Sequence, residues 1–358
     1  MTSLPPMSAT AHDSFAQRLI AWQRHHGRHD LPWQGTREPY PVWLSEIMLQ
    51  QTQVATVIPY YLRFLERFPD IATLATAAAE EVMALWSGLG YYARARNLHA
   101  CAQAVVAQHG GAFPRDPDSL ARLPGIGRST ANAIAVFCFG ARVPILDGNV
   151  KRLLCRHAGI EGWPGLPAVE SQAWRHAESL LPKTKVAAYI QAQMDLGATV
   201  CTRSRPRCDI CPVAADCTAL ATGRTAELPT ARPRKALPER EVGLLVLMDK
   251  GRILTMPRPP TGIWGGLWSL PEIDPGAGPE AAAARLGCRI ISRRQLEPVG
   301  HTFTHFRLCM RPLLCETEPL SRAAEPGSHW LGRQELDSAP LPAPIRKLLA
   351  VLLDQPAV

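Results

Sequence analysis

The chain has 358 residues, of which 46% are hydrophobic, with ten cysteines and a formal net charge of +8. This length is enough for two domains with real cores, and no apolar run approaches the ~18 residues of a membrane span, so no membrane-crossing helix is expected. A basic balance favours a polyanionic partner, of which nucleic acid is the commonest. Residues 1–13 lack the apolar stretch of a secretory signal and read as a disordered tail, so a cytoplasmic, reducing location is expected. There, clustered cysteines suggest metal ligands rather than disulfides.

In chain order, residues 14–222 read as helices joined by short turns. Pro41 suits the first turn of a helix, and the apolar stretch after it predicts one long helix to Phe68, with Pro59 as its break or kink. Leu74–Trp86, Ala93–Gln108, Ser129–Phe139 and Val150–His157 are further helical segments. Residues 223–240 are rich in Pro and Arg without apolar periodicity and read as a linker. Residues 201–240 carry eight Lys/Arg against four Asp/Glu, a balance suited to a phosphate-facing surface. Residues 241–358 form a mixed α/β domain: EVGLLVLM and RILTM are strands joined by a turn at Asp249-Lys250-Gly251, RLCMRPLLCE is another strand, and APIRKLLAVLL is a terminal helix. The fold class expected is an all-helical domain followed by a smaller α/β domain.

Two motifs in the helical part carry chemistry. In LPGIGRSTANAI, Gly125 and Gly127 precede a helix-forming run. Their N–H groups and the helix N-terminus suit a phosphate, held without reading sequence, with Arg128 beside it. The string resembles the helix-hairpin-helix of the DNA glycosylase superfamily that includes endonuclease III. Cys201, Cys208, Cys211 and Cys217 have the spacing C-x6-C-x2-C-x5-C, a closed tetrathiolate set that suits zinc or an iron–sulfur cluster. Placed after a helix-hairpin-helix, it resembles the loop at 201–217 that holds one 4Fe–4S cluster in the same superfamily. The resemblance implies a structural, DNA-docking role for that loop.

Breaking an N-glycosidic bond to a purine requires an acid for the leaving base and negative charge beside the sugar cation, which two carboxylates in different environments supply. Asp147, before Gly148 and Asn149, is placed to cap a helix; LDGNVKR also resembles the segment carrying the superfamily's catalytic aspartate. Glu46 sits among Trp43, Leu44, Ile47, Met48 and Leu49, where loss of water would raise its pKa. WLSEIMLQQTQV is similar to the adenine glycosylase family called MutY, and the resemblance makes Glu46 the acid that protonates adenine.

Further expectations follow from this resemblance. Bifunctional relatives carry a lysine where this chain has Ser129, so a monofunctional enzyme is expected, with Ser129 and Asn149 as organisers of the site. Leu49, Gln50, Gln51 and Tyr91 are the DNA-probing residues that accompany base flipping. Trp33, Arg37, Gln191 and Met194 line the adenine pocket. GIWGGLWSLPE and HTFTHF resemble MutY's Nudix-like C-terminal domain, with Phe303, Thr304 and His305 sensing oxidised guanine. Serine is usual at the position of Thr304. Gly266 and Glu272 match the start of a Nudix box whose remaining carboxylates are missing here, so no magnesium site is expected. The expected activity is removal of adenine opposite 8-oxoguanine or guanine in double-stranded DNA, by a monomer in the cytoplasm that joins the nucleoid when bound. The rivals are a pyrimidine-lesion glycosylase with lyase activity, a non-catalytic DNA-binding protein, and a nucleotide pyrophosphatase in the C-terminal half.

Overall fold

The computed structural model describes residues 9–233, 236–274, 278–320 and 327–354. Its helices begin with α1 (Ala9–His26), α2 (Pro39–Leu49), α3 (Val54–Arg67), α4 (Ile71–Thr76), α5 (Ala79–Trp86) and α6 (Ala93–His109). They continue with α7 (Pro117–Ala121), α8 (Arg128–Phe139), α9 (Gly148–Ala158), α10 (Pro167–Ser179), α11 (Val186–Thr199) and α12 (Thr218–Ala221). Then come β1 (Glu239–Asp249), β2 (Arg252–Pro257), β3 (Trp268–Ser269), β4 (Glu272–Ile273), α13 (Pro279–Arg285), β5 (Cys288–Gln295), β6 (Val299–Thr302), β7 (Arg307–Pro319), β8 (His329–Leu331) and α14 (Ala343–Leu353). No helix among the described residues is long and apolar enough to cross a membrane.

The chain divides into two compact units, Met1–Ala75 with Ala100–Arg234, and Thr76–His99 with Lys235–Val358. The sequence boundary at 222 places Thr76–His99 with the helices, whereas by contact these residues belong to the second unit.

The first unit is helical. Its core joins Phe15 and Leu19 of α1, Ala133 and Val136 of α8, Val150 and Leu154 of α9, Trp174 of α10 and Tyr189 and Leu196 of α11. Asp116 caps α7 by accepting from the Ser119 N–H at 2.8 Å, and left-handed glycines end α8 (Gly140) and α9 (Gly159).

Four sequence expectations are corrected here. Residues 9–13 of the expected tail lie in α1, and residues 1–8 lie outside the described residues. The long helix to Phe68 is two helices, parted at residues 50–53 where Gln51 turns left-handed at φ 58°, and Pro59 lies inside α3 rather than at a break. The carbonyl that Pro59 leaves without an amide donor belongs to the exposed Ala55, where water can serve. Leu74–Trp86 is likewise two helices, α4 and α5. The stretch read as a linker is partly packed on the first unit: buried Arg156 donates to the Leu228 carbonyl at 2.7 Å, Gly162 N–H to Thr230 at 3.1 Å, and Arg224 pairs with Glu161 and Glu227. The strand pattern itself starts at Glu239.

The second unit is built on a mixed sheet with the order β3-β2-β1-β7-β5. Strands β1 and β7 run parallel through ten paired positions, and their other neighbours are antiparallel. The hairpin between β1 and β2 closes at Lys250 and Gly251, whose φ angles of 48° and 72° match the turn that follows strand twist. Long β7 pairs with β6 in its first half and with β5 in its second, so the β6–β7 connection, residues 303–306, projects from one end of the sheet.

Candidate active site

In α2, Val42, Trp43, Leu44, Ile47 and Met48 are buried in the protein, which fixes the helix about its axis. Glu46 keeps its exposed surface toward a cleft of about 1350 Å³ within the first unit. Asp147 lines the same cleft as the N-cap of α9, where its Oδ1 accepts from the Val150 N–H at 2.7 Å. Capping and cleft exposure coexist, because the cap uses one carboxylate oxygen.

The two environments differ. Burial pushes the Glu46 carboxyl up to about 8, and the charge of Asp147 pushes the same way. Burial also raises Asp147, but the N–H groups of Val150 and Asn149 and the charges of Arg152 and Arg28 pull it down. Asp147 is still raised on balance, so the pair favours holding a proton, and of the two carboxyls it is Asp147 that has N–H groups and arginine charge to support its ionised form.

The cleft collects most of the sequence-predicted residues: Ser129, Asn149, Leu49, Gln50, Gln51, Trp33, Arg37, Gln191 and Met194 all line it. Ser129 Oγ accepts from the Leu146 N–H at 3.0 Å, which ties the start of α8 to the loop entering Asp147. The Gln50 amide reaches Thr130 Oγ1 at 3.4 Å. Gly125, Gly127 and Arg128 lie on the hairpin outside this lining. Gly125 takes a left-handed φ of 75°, while Gly127 caps α8 with open space where a side chain would stand. Arg128 stacks 3.9 Å over Trp174 and pairs with Glu178 at 2.9 Å.

Several residues at the site escaped sequence reasoning. Fully buried Asp195 accepts from Arg28 Nε at 2.8 Å, from the Arg28 N–H at 3.1 Å and from Gln191 at 3.0 Å. Its signal was an aspartate inside an apolar helix, which demands a buried partner. Arg152 donates to Asn149 Oδ1 at 2.8 Å, the Gly197 carbonyl at 2.6 Å and the Cys201 carbonyl at 2.8 Å. At Gly197 a Cβ would stand 2.6 Å from Asn149 Cβ, so only glycine lets α11 approach α9 this closely.

The four cysteines line a separate cavity with Leu153, Arg156, His157, Val200 and Val213. Arg156, 2% exposed, reaches Cys201 Sγ at 3.4 Å and the carbonyls of Thr202 and Arg203. Among the described residues no three His, Cys, Asp or Glu side chains gather as ligands of a single metal ion. The other six cysteines stand apart as free thiols.

In the second unit, Tyr91 is half-exposed on a turn at φ 50°. The 303–306 loop is closed by Phe303 N–H to the Phe306 carbonyl at 2.9 Å. Thr304 and His305 are exposed at its tip, and Phe303 stacks on buried Phe306 at 4.6 Å. Glu272 of the partial Nudix box is paired with Arg258.

Comparison with known proteins matches residues 44–179 to the HhH-GPD superfamily of base excision DNA repair proteins and residues 242–351 to the NUDIX domain. The chain is 34% identical over 337 residues to an adenine DNA glycosylase of Buchnera aphidicola subsp. Baizongia pistaciae, covering 94% of this chain and 95% of that protein. It is 34% identical to the adenine DNA glycosylase of Homo sapiens, covering 96% of this chain and 74% of the human one. Among solved structures, a thermostable thymine-DNA glycosylase superposes with a TM-score of 0.55 at 26% identity, covering 60% of this chain and all of that one.

Proposed function

Since the chain belongs to the adenine DNA glycosylase family, we propose that it hydrolyses the N-glycosidic bond of adenine mispaired with 8-oxoguanine or guanine in double-stranded DNA, leaving an abasic site without cutting the strand. The observation that carries this reading is the pairing of Glu46 and Asp147 in one cleft, where only Asp147 has backbone N–H donors and nearby arginines to support its charge.

Glu46 donates its proton to a ring nitrogen of the flipped adenine, so the base leaves as a neutral molecule with the electron pair of the broken C1′–N bond. Asp147, ionised, faces the positive charge that grows on the sugar. Water adds at C1′ and releases a proton, which restores Glu46. Asn149 is held by Arg152, and Ser129 braces the backbone before Asp147. Serine cannot form the imine that a lysine would form with the opened sugar, which supports the monofunctional reading. Trp33, Arg37, Gln191 and Met194 wall the base pocket, and Leu49, Gln50, Gln51 and Tyr91 fill and probe the duplex. Open space at Gly127 and the left-handed Gly125 suit close approach of a phosphate, with Arg128 alongside. Phe303, Thr304 and His305 read the opposite base.

The donor set also fits one 4Fe–4S cluster. Cys201, Cys208, Cys211 and Cys217 line one cavity, and buried Arg156 offers positive charge to a thiolate-held group. When bound, the cluster supplies a covalent staple for residues 201–217.

The deciding measurement is single-turnover adenine release from duplexes with A opposite 8-oxoguanine, guanine or thymine. Wild type should release adenine fastest opposite 8-oxoguanine, and Glu46→Gln should lose roughly 100- to 10,000-fold. Unchanged release by Glu46→Gln, or efficient borohydride trapping of the wild type on DNA, overturns the assignment.

A further inference from the structure

The turn that bears Tyr91 and the loop that bears Phe303 belong to the same unit, and a chain of named contacts joins them. At one end Arg94 lies 5.5 Å over the Tyr91 ring and donates to the Gly90 carbonyl at 3.1 Å, while the Arg96 N–H bonds the Tyr92 carbonyl at 3.2 Å. From the same first turn of α6, Arg96 Nη1 reaches the Gly265 carbonyl at 2.7 Å. Gly265 follows Trp264, which is 8% exposed and takes a left-handed φ of 53°. The Trp264 ring lies 5.6 Å from His301 and 5.6 Å from Phe303, and those two rings meet edge-on at 4.6 Å.

The Trp264 turn is rigid for reasons visible in its own loop. Arg258 Nε donates to the Ile263 carbonyl at 2.7 Å, and Gly266 N–H to the Pro259 carbonyl at 3.1 Å. A Cβ at Gly265 would stand 2.6 Å from the Pro260 carbonyl oxygen. A bulky residue in the left-handed region costs roughly 1–2 kcal/mol and persists only where its surroundings over-determine it. Tyr91 and Trp264, one at each end of this chain of contacts, both do so.

We infer that Arg96 and Trp264 form a strut that fixes the opposite-base loop relative to the strand-probing turn, so the two readings of the duplex are set as one. Neither residue needs to touch the base; both act by position. The inference rests on the proposed role of Phe303, Thr304 and His305. The test is the ratio of single-turnover adenine release from A:8-oxoguanine over A:guanine, for Trp264→Ala, Arg96→Met, their double variant, Trp264→Phe and Phe303→Ala. Because a ratio compares two duplexes on one folded population, a general loss of stability does not move it. Trp264→Ala and Arg96→Met should each lower it about 3- to 10-fold, consistent with loss of one or two aromatic contacts. The double variant should be no worse than the poorer single one, and Trp264→Phe should keep most of the ratio. If Phe303→Ala leaves the ratio intact, the base-sensing assignment itself fails. If Phe303→Ala collapses it while Trp264→Ala and Arg96→Met match wild type, the strut alone is overturned, as it is by fully additive losses in the double variant. Should Trp264→Ala not fold, Arg96→Met decides by the same ratio.

Discussion

At Glu46 the protein holds a carboxyl in its protonated form at neutral pH by burial and by the nearby charge of Asp147. The same arrangement costs stability with a definite sign. The unfolded chain releases this proton near the ordinary glutamate value of 4.5, while the folded one keeps it to about 8. Between those values the folded state binds more protons, so stability falls as pH rises through the window and levels off above it. Glu46→Gln removes that dependence, so its melting temperature should exceed that of wild type by a margin that grows from pH 5 to pH 8, equivalent to roughly 1–3 kcal/mol. A constant margin across that range would show that Glu46 ionises normally. The rate should show the counterpart: adenine release should decline as pH rises through about 8 and Glu46 loses its proton, and decline at low pH as Asp147 gains one. The burial of Glu46 was legible from its apolar neighbours in sequence, as was the capping place of Asp147. The Arg28–Asp195 pair was not, because its partners lie far apart along the chain and neither sits in a string with a local signature.

Among the elements, the meeting of α9 and α11 governs how well the site is held. Gly197→Ala would gain helix propensity yet force its methyl group against Asn149, including backbone atoms at 3.0 Å. The clash should win, with a destabilisation of about 1–3 kcal/mol and a slower chemical step on A:8-oxoguanine duplexes. A variant as stable and as fast as wild type would mean that the two helices separate freely. Arg156→Met should leave the carbonyls of Thr202, Arg203 and Leu228 without their buried donor. Thermal unfolding should then occur at lower temperature, by about 3 kcal/mol in stability, with earlier loss of visible iron–sulfur absorbance. Element types were readable from periodicity, and α6, α8, α14 and the β1–β2 hairpin fall where their patterns place them. Breaks were less readable. Pro59 advertises one and sits within a helix, whereas the real turn at Gln51 carries neither Gly nor Pro, so it has no local sequence signal.

At the scale of the whole molecule, the second unit is assembled from an internal segment and the C-terminal part of the chain. Ending the chain at residue 234 therefore does more than remove the 303–306 loop proposed to read the opposite base. It takes away the Leu341 carbonyl and Arg346 from Ser87, and Gly265 from Arg96. A truncated protein should lose thermal stability as well as its preference for 8-oxoguanine, measurable as a lower melting temperature beside a lower rate ratio. Retained stability would mean that residues 76–99 fold without those partners.

The discontinuity of that unit also has a consequence in time. On the ribosome, Thr76–His99 emerges more than a hundred residues ahead of Gly265, Leu341 and Arg346, which it contacts. At about 5–20 residues per second, that is a wait on the order of ten seconds. During it the buried residues of α5, Val82, Met83 and Trp86, lack the later-made part of their unit. The helical unit can close around its own core from residues already made, while the segment bearing Tyr91 hangs from it as an unfinished loop. Glu46 and Asp147 should thus be in place before residues 303–306 are made, and chaperone capture should fall in that interval.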